Sequence, residues 1–181
     1  MLKEREILNK ELIAITIERL CYQLIEQHNT FKNTVLIGLQ PRGTYLNNRI
    51  LQKLKIIMPD SNIESGNVDI SFYRDDLMRR EHPIVPEEMD INISLEGKDV
   101  VLVDDVLFTG RSVRSALDAL MTFGRPKSIQ LLTLINRRFS RNLPIEPNYV
   151  GKTIDVMKSE KIIVEWEDTT GFDRVLMRRI Q

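Results

Sequence analysis

The stretch V-V-L-V-D-D-V-L-F-T-G-R-S, residues 100–112, constrains the fold more than any other part of the chain. Branched aliphatics run without a polar break and then stop at two carboxylates, Asp104 and Asp105. Such a run predicts a strand buried on both faces, as in a mainly parallel sheet covered by helices. Ligands of such sheets bind beyond the carboxyl ends of the strands, which is where the two acids fall. A turn containing Thr109, Gly110 and Ser112 follows, and then a segment with Val113, Ala116, Leu117, Leu120 and Met121 at helical spacing. Amides freed at the start of that helix form a concave donor cluster, the two hydroxyls extend it, and Gly110 lacks the Cβ that would block close approach. The loop suits a phosphate.

Two carboxylates beside a phosphate repel it unless they face another group. Ionised aspartates accept hydrogen bonds in pairs, so a vicinal diol is the natural partner, and ribose 5-phosphate carries both diol and phosphate. A phospho-acceptor receiver domain also ends a strand in paired acids, but normally its first strand, whereas this pair lies past mid-chain.

At 181 residues, 42% hydrophobic and 29% charged, the chain is expected to form a single domain, 1–181, with a full core. Lys and Arg number 26 against 26 Asp and Glu, so bulk charge gives no sign of nucleic-acid binding and leaves only a local patch open. The single Cys21 excludes an internal disulfide and a cysteine metal cage, which fits a reducing cytoplasm. The start, M-L-K-E-R-E, has no apolar targeting core, and no stretch has the length of a membrane span.

Taken in order, residues 9–28 carry one apolar stripe, Leu12, Ile13, Ile17, Leu20, Cys21, Leu24 and Ile25, and predict a helix closing at a solvated His28. Cys21 reads as a small core residue. Residues 34–39 predict a short buried strand, followed by a second polar loop, Gln40, Pro41, Arg42 and Gly43. The planar fork of Arg42 matches pyrophosphate oxygens, although an ordinary turn with a surface arginine stays open. A helix is expected around residues 45–55. Residues 59–62 and 65–67 read as turns and 68–73 as a strand. The charged run 74–83 has the composition of a mobile loop that could close over a charged ligand, or of a solvated face. A strand at 128–135 leads into a third polar loop, 136–141. Tyr149 beside Val150 and Gly151 offers a stacking surface for a planar base or a plain core tyrosine. A final strand is expected at 161–166.

The central run resembles the phosphoribosyl diphosphate (PRPP) motif of type I phosphoribosyltransferases. Around it stand P-R-G-x-Y-L from residue 41, S-F-Y-R-D-D from 71, F-G-R-P-x-x-I-Q-L from 123, L-P-I-x-x-x-Y-V-G-K from 143, and K-S-E from 158. This ordered set, over about residues 12–167, resembles the pyrimidine-operon regulators with uracil phosphoribosyltransferase activity, the PyrR family. The resemblance implies the type I fold, a mainly parallel twisted sheet with flanking helices, a small hood and a flexible active-site loop. It implies conversion of uracil and PRPP to UMP and pyrophosphate.

The family would place the ribose on Asp104 and Asp105, and the 5′-phosphate on Leu107, Phe108, Thr109, Gly110, Arg111 and Ser112. Pyrophosphate would lie near Gln40, Arg42 and Gly43, with Arg74 arriving from the charged loop. Uracil would meet Arg137 or Arg138 and the segment Tyr149, Val150, Gly151. Magnesium would be held mainly by PRPP, with no protein metal motif. An mRNA leader is a further implied partner, and a homodimer or a dimer of dimers the implied assembly. Two departures stand out. Residues 136–144, N-R-R-F-S-R-N-L-P, replace the family's D-R-G-H-R-E-L-P, and Glu18 to Gln23 read E-R-L-C-Y-Q in place of T-R-I-x-H-E. An added carboxylate on an RNA-facing surface opposes phosphate contacts. An RNA-binding attenuator with vestigial catalysis, and a phosphoribosyltransferase for another base, remain as alternatives.

Overall fold

The computed structural model describes residues 4–71, 94–157 and 159–179. Five strands, β2 (Thr34–Leu39), β3 (Glu64–Val68), β4 (Asp99–Leu107), β5 (Ser128–Arg138) and β6 (Tyr149–Asp155), form one parallel sheet in the order β3-β2-β4-β5-β6. Val100 to Val103 of β4 are fully buried, as a strand covered on both faces requires. Their side chains alternate between two cores. Val101 and Val103 join the apolar stripes of α1 (Lys10–His28) and α2 (Gly43–Ile57), whereas Val100 and Leu102 meet Val113, Ala116 and Leu120 of α3 (Arg111–Leu120).

That arrangement fixes where a ligand can enter. The chain leaves β2 through α2 toward β3 on one side, and leaves β4 through α3 toward β5 on the other. Neighbouring connections that part in opposite directions open a crevice between the carboxyl ends of β2 and β4. The second and third of the expected loops, after β2 and β5, flank the loop after β4 on this edge.

A second sheet, antiparallel, has the order β1-β8-β7, with β1 at Glu4–Leu8, β7 at Glu160–Glu165 and β8 at Arg174–Arg179. A short helix, α4 (Glu167–Thr170), joins β7 to β8. Arg49 of α2 ties this sheet down: its guanidinium lies 4.5 Å from the Trp166 ring centroid and pairs with Asp168 at 2.8 Å and Asp173 at 2.9 Å. Among the described residues no helix is long and apolar enough to cross a membrane.

Several local expectations need correction. β3 occupies 64–68 and not 68–73, because Glu64 to Val68 pair in register with Val35 to Leu39, which overrides the turn character of Ser65, Gly66 and Asn67. It stops where Asp69 Oδ1 accepts from the amide and hydroxyl of Ser71, a side-chain turn that competes with the ladder. β5 continues through Asn136, Arg137 and Arg138, so half of the third polar loop is strand. The strand at 160–165 is not the last, since β8 follows it. His28 is half-buried, not solvated: Nδ1 meets Thr34 Oγ1 at 3.1 Å and Nε2 meets Gln130 Oε1 at 3.0 Å, and burial lowers its pKa. Cys21 lies in the core, and burial pushes its thiol up to about 12, well away from thiolate chemistry.

Gly151 has a packing role. A Cβ there would stand 2.4 Å from the Leu134 carbonyl oxygen and 2.9 Å from Thr16 Cγ2, between β5 and α1. Gly151→Ala is expected to destabilise the fold by about 1–3 kcal/mol through overpacking. The urea midpoint reports this, and an unchanged midpoint would contradict the close approach.

Candidate active site

A cavity of about 890 Å³ opens at the crevice. Gln40, Pro41 and Arg42 reach it from the end of β2, and Asp104, Asp105, Phe108, Thr109 and Ser112 from β4 and the start of α3. Arg137, Phe139, Arg141 and Asn142 come from the end of β5, and Val156, Glu160 and Ile162 close the side nearest the second sheet.

The carboxylates define the centre. Asp105 is 5% exposed, and its amide donates to Asp104 Oδ1 at 2.9 Å. Removal from water holds the Asp104 carboxyl well above the ordinary range, the neighbouring Asp105 charge raises it further, and the Arg42 guanidinium opposes both. Burial also raises Asp105, against Arg42 and the Val106 amide, which favour its ionised form. The pair is therefore poised to gain from hydroxyl donors. Three buried polar atoms at this cavity, Asp105 Oδ2, Gln40 Oε1 and Arg137 Nε, have no hydrogen-bond partner among the described residues. Buried polar groups are rarely left so, and three at one cavity call for a polar ligand.

Gly43 explains why Arg42 sits so near. A Cβ on Gly43 would lie 2.3 Å from the Val103 carbonyl oxygen and 3.1 Å from Asp104 Cα, so only glycine lets the start of α2 touch β4. The Gln40–Pro41 bond beside it is cis. On the other wall, Gly110 takes φ +87° as the residue preceding α3, a left-handed conformation suited to glycine. β4, the loop 108–110 and α3 thus follow one another as the expected strand, turn and helix.

Arg137 is 6% exposed. Its guanidinium carbon lies 4.0 Å from the Phe108 ring centroid, and Nη2 donates to the Glu160 carbonyl at 3.3 Å. Arg138 points elsewhere, since strand neighbours face opposite sides. It is exposed and forks onto Asp155 at 2.7 and 2.9 Å, outside the cavity.

The segment Tyr149, Val150 and Gly151 does not line the cavity either. Tyr149 is 7% exposed and its hydroxyl donates to Gln130 Oε1 at 2.8 Å, while the carbonyls of Val150 and Gly151 accept from Arg19. Tyr149 belongs to the core that packs α1 on the sheet and Gly151 approaches Thr16 of α1, so the stacking surface expected of Tyr149 is core. Leu107, Gly110, Arg111 and Gly43 shape the backbone around the site without lining it by side chain. Arg74 and the charged run 74–83 lie outside the described residues. The sequence reading missed Val156, Ile162, Phe139 and Arg141. Only the basic character of residues 136–141 hinted at the last of these.

The phosphoribosyl transferase domain model matches residues 4–169. Proteins named bifunctional protein PyrR are similar over nearly the whole length: 40% identical in Enterococcus faecalis strain V583, covering 97% of both chains. In Bacillus subtilis strain 168 the figures are 38%, with 93% of each chain covered. The chain belongs to the PyrR family of phosphoribosyltransferases. Membership agrees with the type I fold and with a phosphoribosyltransferase enzyme. Solved structures share that fold at low identity. A Trypanosoma cruzi hypoxanthine phosphoribosyltransferase superposes with a TM-score of 0.74 at 18% identity, covering 98% of this chain and 97% of that one. A hypoxanthine phosphoribosyltransferase from Staphylococcus aureus gives 0.71 at 20%, covering 99% and 93%.

Proposed function

We propose that the cavity transfers the phosphoribosyl group of PRPP to uracil, releasing UMP, pyrophosphate and the proton of the base nitrogen. The observation that carries this reading is the buried Asp104–Asp105 pair, with Asp105 Oδ2 lacking a donor among the described residues, one strand-end away from a phosphate-type loop. The ribose 2′ and 3′ hydroxyls donate to the pair, and the 5′-phosphate takes the amides and hydroxyls of residues 108–112. The pyrophosphate sits by Gln40, Arg42 and Gly43, with Arg74 assigned to it from outside the described residues.

The bond from the anomeric carbon to pyrophosphate oxygen breaks as the bond to the base nitrogen forms. Positive charge grows on the sugar as in glycoside transfer, and the carboxylate of Asp105 helps to stabilise it. Among the described residues no group of three or more His, Cys, Asp or Glu side chains is placed to hold a metal, but the buried, unpartnered Asp105 Oδ2 is a hard donor of the right kind. Magnesium bound through PRPP would neutralise charge on the leaving group, with Asp104 and Asp105 completing its shell. The protein's own contribution is then positioning, charge complementarity and exclusion of water.

For the base, Arg137 supplies donors to carbonyl oxygens, and Val156 and Ile162 supply apolar walls. This replaces the assignment to Arg138 and to Tyr149, Val150 and Gly151. The reading extends to a regulatory activity, an mRNA leader bound more tightly in the presence of UMP. The face of α1 favours the enzyme over it: Glu18 pairs with Lys53 at 3.2 Å and Arg19 is spent on two carbonyls of β6.

The test is nucleotide formation from PRPP and magnesium across uracil, cytosine, orotate, adenine, hypoxanthine and guanine. Turnover with uracil alone is expected. Turnover with a purine and not uracil would overturn the base assignment, and inertness with every base would leave only the UMP-dependent RNA binder.

A further inference from the structure

We propose that Arg141 is the positioning residue that sets the donor array of the phosphate loop. The inference rests on the phosphoribosyl-transfer reading of the cavity. Arg141 reaches five acceptors from three segments of chain. Nε donates to the Ile145 carbonyl at 2.9 Å, Nη1 to the carbonyls of Leu107 at 3.3 Å, Arg137 at 3.2 Å and Phe108, and Nη2 to Asn136 Oδ1. The amide of the next residue, Asn142, donates to the Thr109 carbonyl at 3.0 Å.

Three successive carbonyls of the loop, Leu107, Phe108 and Thr109, are thus held by residues 141 and 142. In a trans peptide the N–H points opposite to the C=O of the same plane. Anchoring those carbonyls therefore fixes the amides of Phe108, Thr109 and Gly110 as one set, on the side away from residues 141 and 142. The set begins at Phe108 because the Leu107 amide is spent on Thr133 Oγ1 at 3.2 Å. Successive amides aimed one way are a preorganised anion site, and the cost of orienting them is met during folding and not at binding.

A lysine could not do the same. Its ammonium is a point donor on a flexible stem, whereas the planar fork of arginine fits several carbonyls in fixed directions. The two outer arginines of this basic stretch divide the work: Arg138 ends on Asp155 at the surface and Arg141 turns inward to the loop.

The experiment compares the wild-type chain with Arg141→Ala and Arg141→Lys. KM is measured separately for PRPP and uracil, and binding of ribose 5-phosphate by calorimetry. Both variants are expected to raise KM for PRPP and weaken ribose 5-phosphate by about tenfold or more, with KM for uracil at saturating PRPP within about threefold. Added guanidinium ion at non-denaturing concentration should restore part of the loss in Arg141→Ala. A merely structural role predicts losses shared by both substrates, tracking a lower melting temperature and unmoved by guanidinium, and that result would overturn the proposal. So would ribose 5-phosphate binding of Arg141→Lys within twofold of wild type, a comparison that survives if Arg141→Ala fails to fold. If the wild type turns over no base, the transfer reading fails, while the ribose 5-phosphate comparison still decides the role of Arg141.

Discussion

Replacing Asp104 and Asp105 together with Asn is expected to lower kcat/KM for PRPP at least tenfold, a loss of about 1.4 kcal/mol or more in transition-state stabilisation. The double variant keeps the shape of the site but exchanges two charged acceptors for amides, and charge-assisted hydrogen bonds are about twice as strong as neutral ones. The loss should fall on PRPP, because nothing places the pair against the base. Unchanged steady-state kinetics would sink the assignment of the ribose to this pair. In the wild type, charge-assisted acceptance by both oxygens requires ionisation, and burial raises both carboxyls above the ordinary range, with the Asp105 charge adding to it for Asp104. The rate for PRPP should therefore fall as pH drops through those raised values, earlier on acidification than an ordinary aspartate would give.

Stability moves in the opposite sense. A carboxyl whose folded pKa is raised binds more protons folded than unfolded in the window between its ordinary and its raised value. Its stabilisation is fully present below the ordinary aspartate range and is lost as pH rises through the folded value. At pH above both raised values the wild type thus carries two unfavourably buried charges that the Asn pair lacks. The double variant is expected to melt higher than the wild type there, with the difference shrinking as pH falls through those values. A lower melting temperature of the double variant at such pH would show that the pair is satisfied in the free protein. Activity gained at the expense of stability is the pattern expected of a site poised for a ligand.

The elements legible in the sequence are those whose environment is written locally. β2 and β4 are buried on both faces, so continuous aliphatics mark them, and α1 begins where the Asn9 side chain accepts from the Leu12 amide at 2.9 Å. β3 escaped because Ser65, Gly66 and Asn67 look like a turn and become strand only by pairing with β2. β1 and β8 escaped because charged residues cover much of both, and their pairing spans nearly the whole chain. The same physics divides the site. The part of the site proposed for ribose and 5′-phosphate is one contiguous run, from which Asp104, Asp105 and the loop could be read. The part proposed for the base is assembled from the ends of β5 and β6 and the start of β7, so Val156 and Ile162 converge only in three dimensions. Gly151 was noticed for the wrong reason: the position requires glycine because α1 and β5 crowd it.

Arg137→Met is expected to raise KM for uracil by about 10- to 100-fold, or 1.4–2.7 kcal/mol, with KM for PRPP within about threefold. Methionine retains an apolar stem over Phe108 but removes every donor, so a base carbonyl brought into the cavity would lose water and gain nothing in return. Two features make Arg137 the choice over its neighbour. Its Nε is buried with no hydrogen-bond partner among the described residues, and its plane is held by the Phe108 ring and the Glu160 carbonyl. A donor oriented in advance discriminates better than a mobile one, because less freedom is lost on binding. Lysine at 137 keeps the charge but not the planar stacking, so its KM for uracil should fall between those of wild type and Arg137→Met. Arg138→Met serves as the internal control. That side chain forks onto Asp155 at the surface, where an exposed ion pair contributes little, and both KM values should stay within about twofold. If Arg138→Met instead lost uracil affinity while Arg137→Met did not, the base would lie on the other face of β5, and the cavity would belong to PRPP alone.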